Sequence, residues 1–110
     1  MITCFLKYNI DPYRIAEFEN YGKVWIDLVN KSGGTHHGYL LPFEGANNVA
    51  YASFSFPSLA EYEEYRKEFD TNPEFKKVMK DAFDKKFIVS YERSFMRPVF
   101  DGINDRARIE

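Results

Sequence analysis

Residues 2–10 alternate: Ile2, Cys4, Leu6 and Tyr8 fall on one side, and Thr3, Phe5, Lys7 and Asn9 on the other. A period of two over that length predicts a half-buried strand. Asp11-Pro12 predicts a helix start, with Asp as N-cap and Pro at the first helical position, where its missing N–H costs nothing. Ile15, Phe18, Trp25 and Leu28 then recur at helical spacing. Lys31-Ser32-Gly33-Gly34 supplies a cation and glycine for the helix end. Thr35 to Leu41 predicts a second strand and Val49 to Phe56 a third, and the short loop between them makes an antiparallel hairpin. Ser58-Leu59-Ala60-Glu61 is a capping box, and Leu59, Tyr62, Tyr65 and Phe69 line one face of the helix it opens. After a break at Thr71-Asn72, Pro73 restarts a helix with Phe75, Val78, Met79, Ala82 and Phe83 on one face. Ile88 to Met96 predicts the last strand.

Strand, helix, strand, strand, broken helix, strand is the α+β, ferredoxin-like βαββαβ order, a four-stranded antiparallel sheet with helices on one face. Residues 1–98 form that domain and 99–110 a C-terminal tail. The other sheet face is expected to carry Phe5, Tyr51, Ser53 and Ser55, while Phe54 and Phe56 turn to the helices. A half-apolar face on so small a domain predicts a homodimer through the sheet face.

Composition narrows the function classes. One domain is what 110 residues allow, and aromatic residues make up 18% of them. A net charge of −2 gives no basic field for nucleic acid. No apolar run approaches the roughly 20 residues of a membrane span, and the first residues lack the pattern of a signal peptide. With Cys4 as the one cysteine no internal disulfide can form. A cytoplasmic protein acting on neither nucleic acid nor membrane is expected.

The stretches "YNIDPYRIAEF" (8–18), "GGTHHGYLLPFEG" (33–45), "FSFPSLAEYEEYR" (54–66), "NPEF" (72–75) and "YERSF" (91–95) occur in the order found in the NIPSNAP family, which the chain resembles over residues 2 to about 98. Phe54, Phe56, Tyr62 and Phe75 stand where many members carry other aromatics or an arginine. The resemblance implies a ferredoxin-like fold paired into a dimeric α+β barrel. It brings no settled reaction with it, and fold does not fix function.

Candidate chemistry centres on few residues. In a strand, His36 and His37 point to opposite faces and cannot chelate one metal together; no metal site and no cofactor is expected. On strict alternation His37 shares its face with Tyr39 and Leu41, and His36 with Gly38 and Leu40. Arg93 shares its face with Tyr91 and Phe95, where a guanidinium can hold an anion or stack on a ring. Which sheet face that is stays open. The expected ligand-binding set is His37, Tyr39, Tyr51 and Arg93, with His37 and Arg93 as the candidate catalytic pair. Three functions follow: a homodimer binding a small, partly apolar ligand in a cleft between helices and sheet; a cofactor-free monooxygenase or isomerase of the dimeric α+β-barrel type; or an interaction protein without catalysis.

Overall fold

The computed structural model describes residues 1–99. Its elements in chain order are β1 (Ile2–Ile10), α1 (Ile15–Lys31), β2 (Thr35–Leu40), β3 (Val49–Phe56), α2 (Leu59–Thr71), α3 (Pro73–Lys85) and β4 (Ile88–Met96). The strands form one antiparallel sheet in the order β2-β3-β1-β4, and the fold is the ferredoxin-like α+β arrangement expected. Apart from Val99, the expected tail lies outside the described residues. No helix among the described residues is long and apolar enough to cross a membrane.

Alternation on β1 places Cys4, Leu6, Tyr8 and Ile10 under the helices, and Ala50, Ala52, Phe54 and Phe56 of β3 join them. Phe18 of α1 is fully buried at the centre, its ring edge-on to Tyr8 and Tyr39 at 5.1 and 5.7 Å. Aromatic pairs in this geometry contribute roughly 0.5–1.5 kcal/mol each beyond their burial. At Gly34, between α1 and β2, a Cβ would stand 2.8 Å from the Phe56 ring and 2.9 Å from Val29, so only glycine lets the strand approach this closely.

α1 begins later than Asp11-Pro12 suggests. The Asp11 carboxylate accepts from the Tyr13 N–H and its carbonyl from the Arg14 N–H, closing a turn. The helix starts at Ile15. Arg14 pairs with Glu17 through two 3.0 Å contacts and donates to the Lys85 carbonyl, tying the start of α1 to the end of α3.

Ser58 caps α2 as expected, accepting from the Glu61 N–H at 3.2 Å. Asn72 serves two helices: its N–H donates to the Glu68 carbonyl and its side chain accepts from the Glu74 N–H. α3 fully buries only Phe75 of its expected face; Val78 and Ala82 are half-buried against the core and Met79 and Phe83 are exposed, because α3 packs mainly on α1 and α2.

β2 departs from simple alternation. His36 pairs with Phe54 and Gly38 with Ser53, so His37 is an extra residue in a β-bulge. Gly38 takes φ +104°, a conformation that side chains with a Cβ rarely adopt. Its N–H donates to His36 Nδ1 at 2.9 Å across the bulge.

Candidate functional site

The bulge redistributes the second strand. Beyond it, Tyr39 pairs with Ala52 and Leu40 with Tyr51. His36 and Tyr39 therefore both lie under the helices, with rings stacked 5.0 Å apart. His37 and Leu40 lie on the free face. The expectation that His37 and Tyr39 share a face fails, since one extra residue shifts the period of two by a step.

β4 is set by its register with β1, where Arg93 pairs with Leu6 and Tyr91 with Tyr8. Arg93, Tyr91 and Phe95 are thus on the helix side, which answers the question of the arginine's face. The four expected ligand residues divide between two hollows. Tyr39 and Arg93 line a cavity of about 60 Å³ between the helices and the sheet. His37 and Tyr51 line a hollow of about 150 Å³ on the free face, with Phe5 and Leu40. His37 and Arg93 stand on opposite faces, so within one chain they do not form the catalytic pair. His37 Nε2 instead meets the Ser55 hydroxyl at 2.7 Å, and that hydroxyl also meets Thr3 Oγ1 at 2.7 Å.

The helix-side cavity has an aromatic floor and a cationic rim. Trp25, Tyr65, Phe69 and Phe54 supply rings from α1, α2 and β3. Trp25 is 6% exposed, and its Nε1 is buried with no hydrogen-bond partner. The Tyr21 phenol beside it feels the indole N–H as a stabilising donor, though the two do not reach hydrogen-bond geometry. Burial raises the Tyr21 pKa to about 12 and also pushes those of Tyr8 and Tyr39 well above the usual phenol value. Burial, with a contribution from His37, lowers the pKa of His36 to about 4. The ring is neutral near pH 7, and because Nδ1 accepts from Gly38 its proton sits on Nε2.

Two arginines stand at the rim. The Arg66 guanidinium lies 4.2 Å over the Phe69 ring and that of Arg93 lies 5.4 Å from the Tyr91 ring centroid. Burial raises the Tyr62 pKa and both arginines oppose it, so their fields converge on one phenol. Among the described residues, no group of three or more His, Cys, Asp or Glu is placed to hold a metal.

The sequence profile of the NIPSNAP family matches residues 4–101. The chain belongs to the NIPSNAP family. Protein Atu4242 from Agrobacterium tumefaciens is 19% identical to this NIPSNAP chain with a TM-score of 0.77, covering 93% of it and 97% of its own length. An uncharacterised NIPSNAP domain protein from Burkholderia xenovorans, 12% identical, superposes with a TM-score of 0.75 over 94% of this chain and 99% of its own. A putative antibiotic biosynthesis monooxygenase from Nitrosomonas europaea, only 5% identical, reaches 0.70 over 91% and 100%. At these identities the likenesses show the fold. No curated protein matches the sequence.

Three residues of the NIPSNAP cavity escape a reading of the sequence alone. Trp25 and Arg66 look like one more core ring and one more charge on a solvated helix face. His36 is concealed by the bulge, for which Gly38 directly after two histidines is the available signal.

Proposed function

We propose that this NIPSNAP protein is a homodimer that binds a small, partly apolar ligand in the helix-side cavity of each protomer. The observation that supports ligand binding is the buried, unpartnered Trp25 Nε1 in a ring-lined wall. Leaving such a donor unsatisfied costs roughly 1–3 kcal/mol, and a ligand oxygen that reached it as the surrounding rings adjust would remove that cost. The cavity, at about 60 Å³, exceeds the roughly 10–15 Å³ that one water needs. It suits a flat group entering from the rim.

Dimerisation is supported by the free face, where Phe5 and Tyr51 pack at 5.8 Å and are each 36% exposed, flanked by exposed Leu40 and Met96. A second copy covering this face would bury what one chain leaves in water. Trp25, the single tryptophan, is the reporter for the first half of the reading. Small aromatic compounds should change its emission saturably, and a Trp25→Phe control should lose the signal. Sedimentation equilibrium tests the second half: a dimer at micromolar concentration, shifted toward monomer by Tyr51→Glu with Leu40→Glu. A monomeric wild type refutes the dimer, and unchanged emission across a compound panel refutes the binding site.

A further inference from the structure

The ion pairs of the described residues engage Arg14, Lys23, Lys31, Lys67 and Lys80. Arg66 and Arg93 are absent from that set, and the cavity they rim has no Asp or Glu in its lining. In a chain whose net charge is −2, two guanidinium groups thus line one cavity with no ion-pair partner among the described residues. Each lies against a ring, Arg66 on Phe69 and Arg93 on Tyr91. That stacking fixes the guanidinium planes and leaves N–H edges for an acceptor. One comes from α2 and the other from edge strand β4, both line the cavity, and the fields of both reach the Tyr62 phenol.

We infer that the ligand is a carboxylate with a flat apolar body, its acid group held at the rim by Arg66 and Arg93 and its ring inserted among Trp25, Tyr65 and Phe69. A planar guanidinium matches the two oxygens of a carboxylate, and charge-assisted hydrogen bonds are roughly twice as strong as neutral ones. The rings below supply apolar contact but no second charge, which favours a monoanion with a single acidic end. This inference rests on the cavity being a ligand site, as proposed above.

The test separates the two ideas. Benzoate, phenylacetate and 3-phenylpropanoate are titrated against the full-length protein, followed by Trp25 fluorescence, alongside their neutral primary amides. The best acid should bind at least tenfold more tightly than its amide, and raising the salt concentration should weaken the acid alone. Arg93→Gln and Arg66→Gln should each weaken the acid about tenfold and leave the amide unchanged. Arg93→Lys, which keeps the charge but not the planar fork, should fall between. Both arginines are exposed, and circular dichroism of each variant checks that the fold survives. Equal binding of acid and amide, or glutamine variants that weaken both alike, would overturn the carboxylate while leaving the cavity a ligand site. Binding of neither series would overturn both.

Discussion

Deleting His37 distinguishes the bulged strand from simple alternation. In the structure His37 is the one unpaired residue of β2, so its loss leaves His36 opposite Phe54, Gly38 opposite Ser53 and Tyr39 opposite Ala52. Every remaining side chain keeps its face. The direct loss is the His37–Ser55 hydrogen bond, and Ser55 retains Thr3 as a partner. A hydrogen bond of this kind contributes roughly 0.5–1.5 kcal/mol, so the shortened chain should fold and lose about 1 kcal/mol. Under simple alternation the deletion would expel Tyr39 from beneath the helices. Exposing roughly 150–250 Å² of an aromatic side chain at about 25 cal/mol per Å² costs roughly 4–6 kcal/mol. Urea unfolding at pH 7 separates these values, since domains of this size lose roughly 1–3 kcal/mol per molar urea. A second substitution reads the backbone directly. Gly38→Ala in the intact chain meets the positive φ and should cost about 1–2 kcal/mol. In the deleted chain Gly38 becomes an ordinary strand residue, where alanine should gain roughly 0.5–1 kcal/mol. A deletion that costs more than about 3 kcal/mol, or a Gly38→Ala effect of the same sign in both backgrounds, refutes the bulge.

Two further outcomes are expected. The His36 pKa falls from 6.5 to about 4 on folding, so the unfolded chain binds the extra proton between those values. Its contribution is complete above pH 6.5 and lost as pH drops toward 4; His36→Gln should flatten the fall in urea midpoint between pH 7 and pH 5, and an unchanged pH profile would contradict the assignment. Gly33 and Gly34 should respond in opposite ways: Gly33 has φ +89° and open space around it, so Asn should be tolerated better than Ala, whereas Gly34→Ala should cost about 1–3 kcal/mol by overpacking Phe56 and Val29, and Gly34→Asn more. Thermal melts of the four variants decide this, and Asn preferred over Ala at 34 would show the steric account to be wrong.

Much of the fold is legible from local pattern because a single rule governs each stretch. Cys4, Leu6 and Tyr8 alternate under one cover, Ser58 caps with its own side chain, and Pro73 can only begin a helix. The site is less legible because its residues are placed by relations between strands. Arg93 is exposed, and almost all of β4 is exposed with it, so no contrast of apolar and polar faces marks its direction; the pairing with Leu6 decides it. His36 and Tyr39 share a face only because one residue between them is not counted by the neighbouring strand. At Asp11-Pro12 the residue types suit a helix start and a turn equally, and the carbonyl bond to Arg14 selects the turn.

Asn72 does more than end one helix and begin another. In an unbroken helix the inward sites after Tyr62, Tyr65 and Phe69 would fall near positions 72 and 76, and residue 75 would point about 100° away. The interruption resets the angular phase. Phe75 thereby reaches Trp25, Tyr65 and Phe69 with ring centroids 5.3, 5.7 and 5.5 Å away, and the chain backs its cavity wall with a ring that a continuous rod would have aimed at water.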